Sequence, residues 1–140
     1  LAERHGATVL VAGARLERDL GVSVIRDMRN KAGNIMGETS LSVLAALLKR
    51  SAITVCNDSG AYHVAVAVGA PVVGLFGPGS PSKWAVRNRR QMALWHEYQC
   101  PCFPWHPRAR CERDNACIRT ITVEEVCQAV DQVLDARAGA

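Results

Sequence analysis

The sequence predicts an α/β fold of the Rossmann-like type, in which a parallel sheet carries helices on both faces. Short runs of consecutive apolar residues, rather than alternating ones, indicate strands that are buried on both sides. Helical patterns separate these runs, and a glycine or a polar turn closes each of them. Ligands of such sheets bind beyond the carboxyl ends of the strands, so the polar turns at those ends are the candidate sites.

Five short strands are predicted along the chain. They cover residues 8–12, 34–36, 53–56, 71–76 and 92–95. The runs ITVC (53–56) and PVVGLF (71–76) are the clearest, because β-branched and aromatic residues are typical of strands. Pro71 agrees with this interpretation, since proline is tolerated at the first position of a strand.

Four helices are predicted between and after these strands. They cover residues 15–29, 41–50 and 59–68, and a last helix opens at Thr122. The first rests on apolar residues at four-residue spacing, namely Leu16, Leu20, Val24 and Met28. Thr39 or Ser40 is the expected N-cap of the second helix, and Thr122 with Glu125 matches a capping box for the last.

The composition is that of an ordinary soluble globular protein. The chain has 140 residues, of which 49% are hydrophobic and 21% are charged. No apolar run is long enough to span a membrane, and the first residues, which resemble the tail of a helix, do not match a signal peptide. The net charge of +4 suits anionic ligands such as nucleotides, or an anionic membrane surface. We therefore expect a cytoplasmic chain whose six cysteines are reduced.

The turn at residues 57–60 (NDSG) lies where a predicted strand ends and a helix begins. The first N–H groups of a helix lack intrahelical partners and attract anions. Gly60 allows a ligand to approach the backbone, Ser59 can donate its hydroxyl, and His63 can donate to a phosphate oxygen. A structural role is also consistent with these residues, because Asp58 and Ser59 are good N-caps and Gly60 permits tight packing.

Residues 57–78 (NDSGAYHVAVAVGAPVVGLFGP) resemble the signature of glycosyltransferase family 9, the ADP-heptose:lipopolysaccharide heptosyltransferases. That signature is Asp-(Thr/Ser)-Gly-x-x-His-x-Ala-Ala, followed by Pro-x-(Val/Ile) and Phe-Gly-Pro. The likeness extends back through residues 37–41 (GETSL) and forward through the Cys-Pro-Cys segment to the last helix. It implies the C-terminal, donor-binding half of a GT-B glycosyltransferase, without the first strand and phosphate-contacting loop of that half.

The resemblance assigns roles to individual residues. It places the donor diphosphate and sugar at Asp58, Ser59, Gly60 and His63. It places Glu17 on the ribose hydroxyls and Thr39 near the adenine, although a solvated charge and a plain N-cap are the respective alternatives. Residues 77–84 (GPGSPSKW) depart from the family's Gly-Pro-Thr-Asp-Pro, which puts the donor-sugar contacts of that loop in doubt.

The implied reaction is the inverting transfer of heptose from ADP-heptose to the lipopolysaccharide inner core, without a cofactor. The base is expected in an N-terminal acceptor domain that this chain lacks, so the fragment alone should be inactive. The expected partners are the nucleotide sugar and the lipopolysaccharide acceptor, with peripheral association with the inner membrane and no nucleic acid. The alternatives are a GT-B transferase that uses another nucleotide sugar, and a non-catalytic module that binds a nucleotide or zinc.

Four cysteines lie within 18 residues of one another, namely Cys100, Cys102, Cys111 and Cys117. Four thiols can hold Zn²⁺ tetrahedrally, but their C-x-C spacing differs from the C-x2-C of common zinc knuckles. Free thiols and disulfides are the alternatives. The prediction is that the chain has no metal site, with these four thiols as the alternative zinc ligands.

Overall fold

The computed structural model describes residues 1–96, 111 and 113–138. The chain divides into two compact units, Leu1–Leu44 and Ala45–Ala140. Among the described residues, each unit contains one parallel sheet, with two strands in the first and three in the second. The predicted α/β class with parallel strands is confirmed, but the strands form two sheets where one was predicted. In the described ranges, no helix combines the length and the apolar character needed to cross a bilayer.

The first unit is built around one parallel strand pair. Its elements are α1 (Ala2–His5), β1 (Val9–Val11), a 3₁₀ turn (Arg15–Glu17), α2 (Arg18–Arg26) and β2 (Ala32–Asn34). Val9 lies opposite Ala32 and Val11 opposite Asn34. The second strand therefore starts two residues before the predicted position, because its pairing with β1 already begins at Ala32.

The helix predicted over residues 15–29 is shorter than expected, and its apolar stripe does not face the core. Leu16 is 98% exposed and Leu20 is 63% exposed. Gly21 is buried instead, and a Cβ atom built on it would lie 2.6 Å from Cγ of Met36. The helix thus approaches the core through a glycine, because the bulky methionine side chain fills the space on that side.

The helix α3 (Leu41–Arg50) matches its predicted bounds and spans the boundary between the two units in sequence. Its N-terminus is capped by Ser40, whose Oγ accepts a hydrogen bond of 3.3 Å from the N–H of Val43. The N-cap alternative for Thr39 is therefore wrong.

The second unit contains three strands in the order β3-β4-β5. Its elements are β3 (Thr54–Asn57), α4 (Gly60–Ala67), β4 (Val72–Leu75), α5 (Pro81–Trp84), β5 (Gln91–Leu94), α6 (Ala116–Arg119) and α7 (Val123–Ala138). The short helix α5 lies in the predicted loop at residues 77–84, and α6 lies in a segment for which no helix was predicted. Each has four residues, which is too short for a helical periodicity to appear in the sequence.

The sheet of the second unit is covered on both faces, as predicted. Val73 packs in a buried cluster with Val130 and Val133 of α7. Its neighbour Gly74 faces the other way, since a Cβ atom there would lie 2.6 Å from the ring of Tyr62 on α4. Successive residues of a strand alternate between faces, so β4 is enclosed between α7 and α4.

The predicted capping box opens α7. The N–H of Thr122 donates to Oε2 of Glu125 at 2.7 Å, and the N–H of Glu125 donates to Oγ1 of Thr122 at 3.2 Å. Nε2 of His96 lies 2.6 Å from Oε1 of the same carboxylate. The bonds from Thr122, followed by the contact with His96, lower the pKa of Glu125 to about 2.

Replacement of Glu125 by glutamine should make the Tm of the chain depend less on pH in the acid range. The folded-state pKa lies below the ordinary value of 4.5, so the carboxylate stabilises the fold above that pH. This contribution is lost as the pH falls toward about 2, which predicts a smaller drop of Tm over this range in Glu125→Gln than in the parent chain. Glu124→Gln, which leaves the capping box intact, is the control in thermal melts. Equal pH slopes for the parent chain and Glu125→Gln would contradict the assignment.

Candidate functional site

A cleft of about 560 Å³ lies at the carboxyl ends of β3 and β4 in the second unit. Four residues predicted from the sequence line it, namely Asp58, Ser59, Gly60 and His63. The end of a parallel sheet is where ligands of such folds bind. The structure therefore brings these four residues to one cleft, and their contacts with a ligand stay a prediction.

The first turn of α4 presents unpaired donors at this cleft. Ser59 precedes the helix in an extended conformation, and its hydroxyl makes no capping bond. The N–H groups of Gly60, Ala61 and Tyr62 have no acceptor among the residues that the structure describes. Three amides and one hydroxyl can therefore donate to an anion that enters the cleft.

Gly60 leaves open space beside the backbone. A Cβ atom built on Gly60 would meet nothing within 4 Å. Tight packing therefore does not explain a glycine at this position, and that interpretation of the sequence is wrong. The space instead allows a ligand to contact the start of α4 directly.

Asp58 and His63 form a pair in the wall of the cleft. Nε2 of His63 lies 3.8 Å from Oδ1 of Asp58, and the two side chains are 47% and 25% exposed. The imidazole also makes edge contacts with the rings of Tyr62 and Trp84, at centroid distances of 5.4 and 6.3 Å. These neighbours hold the ring at the cleft, with enough exposure to reach a ligand.

Tyr62 fixes α4 against the sheet. Its side chain is fully buried, and its hydroxyl accepts from the N–H of Val86 at 3.1 Å and lies 3.3 Å from the oxygen of Val86. Burial raises the pKa of Tyr62, so the hydroxyl stays protonated and donates to that oxygen. The ring meets Phe76 edge to face at 5.2 Å. The helix that carries the candidate donors is thus rigidly placed.

Several cleft residues were not recognised in the sequence. They are Asn57, Trp84, Asn115 and Ile118. Asn115 has a φ of 56° and Asp114 a φ of 48°, so two successive residues adopt the left-handed conformation before α6. The Asp-Asn pair was the available signal, because these residue types tolerate that conformation better than most. Only the fold shows that the turn lies beside the strand ends.

Four of the six cysteines lie among the described residues, namely Cys56, Cys111, Cys117 and Cys127. Burial, followed by the nearby Asp58, raises the pKa of Cys56 to about 11, which makes its thiol unreactive at neutral pH. Cys117 is buried in the wall of the cleft, and Cys111 is half-buried. Cys100 and Cys102 lie outside the described residues, so the proposed zinc quartet is not tested. Within the described part, no three metal-binding side chains cluster.

Glu17 and Thr39 belong to the first unit. Oε2 of Glu17 accepts a hydrogen bond of 3.0 Å from the N–H of Ala14, which closes the turn after β1. Thr39 is half-buried and follows β2. Each residue therefore lies beyond the carboxyl end of one of two parallel strands, and their nucleotide contacts stay predictions.

Comparison with known proteins identifies the family. Residues 1–112 match the profile of glycosyltransferase family 9 (heptosyltransferase). This chain belongs to glycosyltransferase family 9. Over 81 residues it is 32% identical to lipopolysaccharide heptosyltransferase 2 of Salmonella typhimurium. The aligned region covers 55% of this chain and 23% of that protein. It is 29% identical over 103 residues to lipopolysaccharide heptosyltransferase 1 of Pseudomonas aeruginosa, with coverages of 73% and 28%.

Solved structures of the family share the fold of this chain. A family 9 glycosyltransferase from Veillonella parvula superimposes with a TM-score of 0.79 at 24% identity, over 94% of this chain and 37% of that one. The ADP-heptose heptosyltransferase II of Escherichia coli gives a TM-score of 0.77 at 22% identity, over 99% and 39%. This family 9 chain thus spans about a quarter of the length of its curated relatives and less than half of the solved ones.

Proposed function

We propose that this chain is the donor-binding half of a GT-B glycosyltransferase that transfers heptose from ADP-heptose to the lipopolysaccharide inner core. One observation carries the proposal: unpaired amides, a free hydroxyl and an imidazole meet at the start of α4, in a cleft at the ends of parallel strands. This donor set suits a diphosphate. The names of the heptosyltransferase relatives support the choice of sugar and acceptor.

The chemistry asked of these residues is stabilisation of the leaving group. In an inverting transfer, an acceptor hydroxyl attacks the anomeric carbon, and the bond from that carbon to the diphosphate oxygen breaks. The oxygen keeps the bonding electrons, so negative charge grows on ADP while a base outside this chain takes the hydroxyl proton. The amides of α4, Ser59 and His63 are placed to donate to that charge, and Asp58 orients the imidazole.

The nucleoside contacts are proposed from the first unit. One carboxylate oxygen of Glu17 is bonded to the backbone of Ala14, and the other can accept from the ribose hydroxyls. Ser40 is the N-cap of α3, so the Thr39 side chain is not used for capping. We propose that Thr39 contacts the adenine instead. We further propose that the whole protein works without a cofactor at the cytoplasmic face of the inner membrane. This chain alone is proposed not to catalyse the transfer.

A second candidate is a GT-B transferase that uses another nucleotide sugar. It is favoured by the loop at residues 77–84, which lines the cleft and lacks the family's Thr and Asp. Thermal shifts with ADP-heptose and with UDP-sugars separate the two candidates. A larger shift with a UDP-sugar would favour the second.

Gly60→Val tests the diphosphate site. A Cβ atom at this position would meet nothing within 4 Å among the described residues, so the free energy of unfolding should change by less than about 0.5 kcal/mol. The same side chain would occupy the space beside the first amides, and ADP affinity measured by calorimetry should fall at least about tenfold. Ala67→Val, at the far end of α4, is the matched control. Unchanged ADP affinity in Gly60→Val would count against the proposed site.

A further inference from the structure

A second cleft, of about 780 Å³, lies beside β5 in the second unit. Its walls come from residues 87–89, from residues 91–93 and from Gln132 and Ala136 of α7. The segment 87–89 precedes β5, which runs parallel to β4. This cleft therefore lies toward the amino end of the strands, whereas the candidate donor site lies at their carboxyl ends.

The turn that leads into β5 is held in one conformation. Asn88 and Gln91 exchange backbone bonds of 3.1 and 3.3 Å, and Nδ2 of Asn88 donates to Oε1 of Gln91 at 2.9 Å. The N–H of Arg90 donates to Oδ1 of Asn88 at 2.8 Å. Gln91 is only 5% exposed and donates to the oxygen of Val66. The backbone that carries the neighbouring arginines is thus fixed before any ligand arrives.

Three arginines on this turn have no acidic partner among the residues that the structure describes. Arg87 and Arg89 line the cleft, Arg90 lies between them and β5, and all three are exposed. None has a carboxylate within 4 Å in the part of the chain that the structure describes. Other arginines of the chain do pair with acids, as Arg26 does with Asp27 at 3.2 Å. As far as the described residues are concerned, the guanidinium groups of this turn can therefore bind an anion.

The rest of the lining is partly apolar. Met92, Ala93 and Ala136 contribute carbon surface, and Gln132 adds an exposed amide. A cleft that presents guanidinium groups beside carbon surface suits a molecule with an anionic head and an apolar body. A phosphate suits this arrangement, because each of its two non-bridging oxygens can accept from one of the two guanidinium groups.

We propose that this cleft binds the phosphate group of an amphipathic molecule, of the kind a phospholipid presents at a membrane surface. Arg87 and Arg89 contact the phosphate, and Met92 and Ala93 contact the adjoining carbon chain. The site is separate from the donor cleft, so it does not depend on which nucleotide the protein uses.

The test compares two double variants of the full chain that lose the same charge. Arg87→Gln with Arg89→Gln removes the cleft arginines, and Lys49→Gln with Arg50→Gln removes two exposed cations at the end of α3. Sedimentation with vesicles of phosphatidylglycerol in phosphatidylcholine should show a partition coefficient at least about tenfold lower for the first variant only. Vesicles of pure phosphatidylcholine give the baseline. If circular dichroism shows that the double variant is unfolded, the single variant Arg89→Gln replaces it in the same sedimentation experiment.

A second arm distinguishes a lipid headgroup from free phosphate. Inorganic phosphate is titrated into the chain, and the backbone NMR shifts of residues 87–92 are followed in the parent and in the two double variants. Shifts that require Arg87 and Arg89, without vesicle binding, would identify a soluble phosphate compound and would overturn the amphipathic ligand. The proposal holds if vesicle binding depends on these two arginines, and it is overturned if it does not.

Discussion

Replacing Ser59 and His63 together by alanine is expected to weaken ADP binding about 100-fold. A hydrogen bond to a charged group contributes about 1.5–3 kcal/mol, so two such bonds at the low end give about 3 kcal/mol. The fold should be unaffected, because the Ser59 hydroxyl makes no capping bond and His63 is 47% exposed. The loss therefore reports on the ligand and not on folding.

Calorimetric titration of ADP into the two single variants and the double variant measures this effect. If both side chains contact the same phosphate, the two losses should not be additive, since removal of one partner lets the ligand shift. Ser42→Ala, exposed on α3, is the control. An affinity of the double variant close to that of the parent chain would remove the physical basis of the proposed function. The phosphate site beside β5 would be untouched by that result.

Gly74→Val is expected to destabilise the chain by roughly 3 kcal/mol or more, as overpacking of a rigid core does. A Cβ atom at this position would lie 2.6 Å from Cε2 of Tyr62 and 2.9 Å from Cε2 of Phe76. Both rings are fully buried, so neither can move into free space. Valine favours strands in general, so a large loss of stability would identify the contact with these rings as the cause.

Urea unfolding of Gly74→Val and of Gly60→Val gives a matched comparison, because the same side chain is added in both. The first substitution should lower the free energy of unfolding strongly, and the second should leave it nearly unchanged. Similar values for the two variants would show that the rings of Tyr62 and Phe76 can adjust. Calorimetry of ADP binding should show the reverse order for any fraction of Gly74→Val that remains folded, since the donor groups of α4 are not altered.

Much of the local structure of this chain is predictable from the sequence. The bounds of α3 and the capping box of Thr122 and Glu125 depend on residues that are neighbours along the chain. The strands of the second unit are predictable because β-branched residues occur in short continuous runs. The turn at residues 57–60 could likewise be placed between a strand and a helix. Secondary-structure propensity, capping and hydrophobic periodicity depend on residues that are close together along the chain. They can therefore be recognised in the sequence.

Contacts between distant segments were decided only by the tertiary structure. Gly60 and Gly74 look alike in the sequence, yet one faces open space and the other faces the ring of Tyr62. The apolar stripe of α2 predicted a helix but not the face that meets the core. Asn115 reaches the cleft because α6 packs near Gly77, which lies 38 positions before Asn115 in the sequence. A Cβ atom built on Gly77 would lie 3.6 Å from Sγ of Cys117 on α6. The physical reason is that the energetic effect of adding or removing a side chain depends on the residues next to it in space. The order of residues along the chain does not identify those neighbours.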